Sequence, residues 1–373
     1  MKKFLFTALL VASFLLTYAQ RKDIDSLRKL LAGSKQDTNQ VLLLSHLGFA
    51  YERVSPDSAI FLSQQALQLS KDLHFLKGEQ RAQTALGSAF TGIGNYPKAL
   101  TVYLDALKSA EAMHDVLRIT KALTNIANIY SYEGDERQSI IFMLRSLVLA
   151  RSTKDSKSIA IPLLNLGDSY EKLNKLDSAL YYTLQGYQYA KKLQNPTWID
   201  VCLNNLGNIY RKMNRPDSAL HYYRQAIILY RQTEDNDAWA ETTIGMAKVF
   251  KSLKLDDSSL YYARQSMTIG QRGGFTARVL DASQFLTEYF KDAGRLDSAF
   301  IYQQVLLAAK DSLISQEKTK EVQDLTFSER QRQIDIQERE ASYRANLRFY
   351  LLVALVIFLV SWLLCSGGIT IKI

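Results

Sequence analysis

Apolar residues recur along most of this chain at helical spacing, interrupted at regular intervals by short polar stretches. Residues 198–230 show the pattern clearly. Apolar residues at 198, 199, 202, 203, 206, 209, 210 and 213 share one helical face, and Asn214, Arg215, Pro216 and Asp217 break the run. Ala219, Leu220, Tyr223, Ala226, Ile227 and Tyr230 then form one face of a second helix. This helix–break–helix unit returns in register. A small residue stands every forty positions, at Ala59, Ala99, Ser139, Ala179, Ala219, Ser259 and Ala299. Twelve residues earlier lie Gly87, Ala127, Gly167, Gly207, Ala247 and Thr287, with Gly48 one residue out of phase. An aromatic follows that column three residues on, at Phe90, Tyr130, Tyr170, Tyr210, Phe250 and Phe290, with Tyr51 shifted likewise. A third small column runs Ala66, Ala106, Ser146, Gly186, Ala226 and Ser266, and Leu306 breaks it. A fixed period of this length predicts stacked two-helix repeats.

The small columns have a physical cause. Where two antiparallel helices cross closely, glycine or alanine lets the backbones approach, and an aromatic fills the groove beside them. Pro56, Pro97 and Pro216 fall at the break between the two helices, where proline starts a helix. Asp57, Asp177, Asp217, Asp257 and Asp297 recur beside them and are expected to cap free amides and face the positive end of the helix dipole. The run Leu166-Gly167-Asp168-Ser169-Tyr170, echoed by Leu206-Gly207-Asn208-Ile209-Tyr210, resembles the tetratricopeptide repeat. The resemblance covers residues 38–309, about seven units, and implies an all-α, right-handed superhelical solenoid of helix pairs. A period of forty exceeds the usual thirty-four, so each helix is expected to be longer by most of a turn.

The flanks differ from the array. Lys2 and Lys3, an apolar run from Phe4 to Leu16, and small Ala19 have the parts of a secretory signal peptide, 1–19, followed by a leader or capping segment, 20–37. Residues 310–348 lack Gly and Pro, balance their charges, and predict a long helix, a coiled coil through which two copies could pair. Residues 349–365 are unbroken apolar or neutral sequence, with Tyr350 and Trp362 suited to interfaces, and predict one transmembrane helix with a short cytoplasmic tail, 366–373. The expected location is therefore the inner membrane, single-pass, with the array in the periplasm.

The net charge of +9 is scattered, without a basic stripe interleaved with aromatics, so nucleic acid is not an expected partner. Cys202 and Cys365 stand far apart and predict no disulfide framework. His46, His74, His114 and His221 lie in separate repeats without metal-ligand spacing. Gly92-Ile93-Gly94 mimics part of a phosphate loop but follows no strand, and Gly273-Gly274 separates two repeats. No catalytic set, metal site or cofactor is expected, and no enzyme. What remains is a groove lined by the first helices. Polar residues just past the glycine column are Ser88, Asn128, Asp168, Asn208 and Lys248, and a turn either side come Lys121, Thr124, Asn204 and Arg211. Amides there can bond both partners of a peptide unit, so the expected ligand is a protein or peptide. The order of leader, array, charged helix and span resembles the sensory half of repeat-containing sensor histidine kinases and related one-span regulators of Bacteroidetes-type bacteria. That resemblance implies a two-component receptor portion without its output domain, naturally truncated or frameshifted; the alternative is a membrane-tethered scaffold for envelope complexes.

Overall fold

Each period of forty folds as two helices of nearly equal length joined by short turns. In the computed structural model, residues 24–52, 54–233, 235–315, 343–344, 347–357 and 359 are described. A helix at 24–32 (α1) precedes α2 (Thr38–Tyr51), α3 (Pro56–Asp72), α4 (Leu76–Gly92), α5 (Tyr96–Ala112), α6 (Val116–Tyr132), α7 (Glu136–Ser152) and α8 (Ser156–Lys172). Then follow α9 (Leu176–Lys192), α10 (Pro196–Lys212), α11 (Pro216–Thr233), α12 (Asn236–Ser252), α13 (Asp256–Gly273), α14 (Thr276–Asp292) and α15 (296–315). Among the described residues there is no strand, so the chain is an all-α solenoid of about fifteen helices. Most helices are 17 residues long, which accounts for the extra length of the repeat.

The turns carry a shorter period than the sequence pattern suggests. A left-handed backbone position recurs every twenty residues, at His74, Gly94, His114, Gly134, Lys154, Asn174, Gln194, Asn214, Lys254, Gly274 and Gly294. Beside it one amide reaches back to a carbonyl five residues earlier, as in Lys175 N–H to Tyr170 (2.9 Å) and Arg215 N–H to Tyr210 (2.9 Å). This closes the helix end in a Schellman-type turn. His74 and His114 are therefore turn residues, and Gly92-Ile93-Gly94 and Gly273-Gly274 lie at helix ends. The recurring aspartates sit inside the first turn of the second helices and suit the dipole there. Side-chain capping comes instead from residues just before the helices: Asp115, Asp155, Asn195 and Asp235 ahead of first helices, and Asn95 and Asp135 ahead of second ones, each accept a backbone N–H of the following turn.

The columns of small residues lie between the two helices of a unit. Ala59, Ala99, Ser139, Ala179, Ala219 and Ser259 are all fully buried. Three of the serines donate their hydroxyl to a backbone carbonyl of the first helix, Ser259 to Ala247 (3.0 Å), Ser266 to Ala240 (2.7 Å) and Ser146 to Thr120 (3.1 Å), whereas the Ser139 hydroxyl is buried without a partner among the described residues. A methyl added at Gly167 would press on Thr183 to within 3.3 Å of its Cα, a backbone atom that cannot step aside. The aromatic column stacks on rings of the second helix, Tyr170 on Tyr182, Tyr210 on Tyr222 and Phe290 on Tyr302, each with centroids 5.4 Å apart and nearly parallel planes. Cys202 is buried in this packing, and burial pushes its thiol up to about 12, so it acts as a small apolar residue.

The chain divides into two compact units, 1–315 and 316–373. The first holds the solenoid. In the second, a described helix runs from 347 to 357, with its side chains exposed. The single-pass inner-membrane placement drawn from the sequence is overturned here: among the described residues no helix is long and apolar enough to cross a membrane. At 1.5 Å per residue the described helix measures about 16 Å, against a hydrocarbon core of about 30 Å. The segments 1–19 and 366–373, and most of the coiled-coil segment 310–348, lie outside the described residues.

Candidate functional site: the inner wall of the array

Helix contacts decide which side of the solenoid is inner. First helices of successive units pack on one another, α2 on α4, α6 on α8, α8 on α10, α10 on α12 and α12 on α14. Among the described residues the second helices make no comparable contacts with each other. The first helices therefore form the crowded concave side, and their non-core positions line a wall.

Side chains meet along this wall from one unit to the next. Ser88 donates to Glu52 (2.8 Å), and the Asn165 amide donates to Asn128 (2.9 Å). Asp168 pairs with Lys172 (2.9 Å), which also reaches Glu136 (3.0 Å), while Ser169 donates to the other oxygen of Glu136 (2.6 Å). Burial raises the Asp168 carboxyl above its ordinary value, and Lys172 opposes that shift. Lys212 pairs with Glu171 at 2.8 Å.

The network is densest across α10, α12 and α14. Glu241 accepts from Asn204 (2.9 Å) and more distantly from Asn208 (3.5 Å), and its second oxygen pairs with Arg278 (2.8 Å). Arg278 also holds Asp237 through two bonds, at 3.0 and 3.1 Å. The carboxylates around Arg278 raise its pKa against the opposing cost of burial. Behind Asn204 the chain continues inward: Thr242 donates to the Asn204 carbonyl (2.8 Å) and bonds the Tyr230 hydroxyl (3.0 Å). Thr242 has one proton, already given to Asn204, so Tyr230 must be the donor to Thr242. Tyr230 thus offers only lone pairs to the neighbouring Asp200, whose Oδ1 is buried without a partner. Burial drives the Asp200 carboxyl up to about 7, and the donor accounting also favours its protonated form.

The residues singled out from the sequence fall into two groups. Lys121, Asn128, Asp168, Asn208 and Lys248 occupy the wall with partly or fully exposed side chains, as does Ser88. Burial lowers the Lys248 pKa, with Arg211 acting in the same direction. Arg211 lies at the base of the wall, where its charge acts on the buried Tyr223; Tyr223 in turn donates to Asn208 (2.7 Å). Thr124 and Asn204 are buried, at 8% and 6% exposure, and spend their polar groups within the array. Thr124 donates to the Thr120 carbonyl (2.9 Å), beside the Ser146 hydroxyl that reaches the same carbonyl. One position on from these two, a second asparagine column was missed: Asn125, Asn165 and Asn205, forty residues apart. Asn165 reaches Asn128 across the wall, and Asn125 is half-buried with no side-chain partner among the described residues. The signal was present in the repeat itself, as a polar column within the first helices that keeps a single residue type through three units.

Among the described residues, no group of three or more His, Cys, Asp or Glu side chains is arranged to hold a metal. His46 stands beside Arg81 on the wall, and burial together with that charge lowers its pKa.

A family model of the tetratricopeptide repeat matches residues 201–237, from α10 into the start of α12. No curated protein sequence matches the chain. Solved structures do. The apo form of RapI matches with a TM-score of 0.63 at 15% identity, covering 74% of this chain and 99% of that one. The apo form of the quorum sensor NprR from B. thuringiensis matches with a TM-score of 0.61 at 16% identity, over 80% and 84% of the two chains. The Rap conjugation gene regulator of the plasmid pLS20, in complex with the Phr* peptide, matches with a TM-score of 0.56 at 15% identity, over 74% and 76%. At these identities the likeness is one of fold, and it makes this chain a TPR-like repeat protein.

Proposed function

We propose that the array binds a peptide, or an extended segment of a protein, along its inner wall, and that it acts by binding rather than catalysis. The observation that carries this reading is the amide lining. Asn125, Asn128, Asn165 and Asn208 face the concave side on three successive first helices. An asparagine offers a donor and an acceptor side by side, matching the C=O and N–H of a peptide unit. The similarity in fold to a regulator holding the Phr* peptide supports the same reading by analogy.

A role as the receptor portion of a two-component system, or as a scaffold for envelope complexes, would build on this binding activity and adds nothing to the explanation of the wall. Selection of a displayed library of random ten-residue peptides on the full chain tests the proposal. Enriched peptides should bind the wild type and lose at least tenfold in affinity when Asn125, Asn165 and Asn208 are changed together to Ala. A library that yields no enriched sequence would overturn the reading.

A further inference from the structure

One column of the wall is sorted by charge. Forty residues apart, on α4 through α14, stand Arg81, Lys121, Ile161, Val201, Glu241 and Asp281. Glu241 fixes the direction of the column, because it is reached by Asn204 and Asn208 of the preceding first helix and by Arg278 of the following one. Repeats stacked in register turn equivalent positions the same way. The column therefore reads basic, basic, apolar, apolar, acidic, acidic along the wall.

Its two ends are not equally satisfied. The acidic end is answered within the chain, since Arg278 holds Glu241 at 2.8 Å and lies 3.8 Å from Asp281. The basic end is not. Arg81 makes no hydrogen bond or ion pair among the described residues, and its Nε is buried without a partner. Its neighbour is another cation, Arg118, already engaged with Asp115 (3.1 Å) and Gln80. Burial and the Arg118 charge both lower the Arg81 pKa, the response of a guanidinium with no anion to answer it. Lys121 on the next first helix is exposed and forms no ion pair among the described residues, although its charge reaches Asp155. Between the poles, Val201 presents an apolar side chain at 43% exposure and Ile161 one that is half-buried.

We propose that the ligand is an extended peptide whose carboxylate-bearing end lies on Arg81 and Lys121 and whose apolar centre covers Ile161 and Val201. This rests on the peptide-binding reading above and adds the ligand's chemistry and direction. Neighbouring helix axes lie about 10 Å apart, and an extended chain advances about 3.3 Å per residue, so each unit accommodates about three residues. An acid paired with Lys121 would thus precede or follow the residue over Val201 by about six positions.

The peptide pool selected on the full chain supplies the test. Wild type should enrich Asp or Glu at one end, with apolar residues about three and six positions away. A chain carrying Arg81→Glu and Lys121→Glu should enrich Lys or Arg at that end and keep the apolar preference; Lys121→Glu alone, at an exposed site, guards against a folding defect. For one selected peptide, exchanging its acid for the amide should weaken binding at least tenfold on wild type and less than twofold on Arg81→Ala/Lys121→Ala. A pool that is enriched but shows no acidic end, or does not change on charge reversal, overturns this inference and leaves peptide binding standing. An empty pool overturns both.

Discussion

The wall formed by α10, α12 and α14 and the wall formed by α2, α4 and α6 are cut from the same repeat, yet only the first carries a chain of linked charged and polar side chains running through all three of its helices. In the former, Arg278, Asp237, Glu241, Asn204, Thr242 and Tyr230 are joined across three units into one continuous set of bonds. In the latter, Arg81 and Arg118 bring like charges together on two successive first helices, and Arg81 has no partner among the described residues. A network that satisfies itself stiffens the scaffold and leaves little for a ligand to gain. An unanswered cation does the reverse: it costs the free protein and rewards an arriving anion. On the peptide-binding proposal, the anion-seeking end of the ligand path would therefore lie on α4 and α6 and not on α12 and α14.

The largest test of that contrast is at Asp200, buried at the root of the bonded half. An unfolded aspartate titrates near 3.9, while this one is raised to about 7. Between those values the folded chain keeps a proton that the unfolded chain has lost. Stability is therefore fully present below about pH 4 and falls as pH rises toward 7, by up to about 4 kcal/mol. Asp200→Asn should flatten the curve over that window in urea unfolding followed by circular dichroism. Parallel curves for the two proteins would show that Asp200 is not held neutral.

A second test compares glycines. At Gly207 an added methyl would meet the Tyr223 ring, which is fully buried and tied to Asn208 (2.7 Å). Overpacking of that kind costs about 2 kcal/mol, more than the roughly 1 kcal/mol gained in helix propensity. Gly207→Ala should therefore lower the melting temperature. Gly87→Ala meets Tyr103 in the same way, so a much smaller loss there would show that the first half yields where the second cannot.

Arg278→Ala strands Asp237 and Glu241 and should destabilise by about 1 kcal/mol, whereas Arg81→Ala removes a repulsion and should be neutral or slightly stabilising. Equal losses at the two arginines would erase the distinction drawn here. The smallest effect is shared by both halves. Lys154 and Lys254 hold left-handed backbone at φ 57° and 58°, and glycine at either should add about 0.5 kcal/mol. Thermal midpoints of the two variants should rise together.

Much of this was legible in the sequence because packing repeats. The small columns, the aromatic column and the break residues recur in one register, and only stacked helix pairs bury them all. The candidate wall was legible in part. Ser88, Asn128, Asp168 and Asn208 were found because they sit one residue past a visible small column. Thr124 and Asn204 were taken with them, yet one residue is a turn of about 100° on a helix, enough to carry a side chain from the wall into the packing. Asn125 and Asn165 lie on the other side of that step. The charge sorting of Arg81 through Asp281 had no signal until the wall had a direction, since each of these residues looks like an ordinary solvated position within its own unit. The membrane span was read from an apolar run alone, and its described part is a helix too short to cross.

The turns carry one further consequence. From α3 to α10 and from α12 to α14 the helices end at the same left-handed residue, at intervals of twenty, whether the turn lies within a unit or between units. The backbone alone therefore does not distinguish a first helix from a second; side chains do. Gain or loss of one helix would leave every turn intact and yet exchange inside for outside in all that follows, carrying the asparagines to the convex face and the stacked rings into misfit. Such an array can lengthen or shorten only by two helices at a time. Its arithmetic is in forties although its backbone counts in twenties.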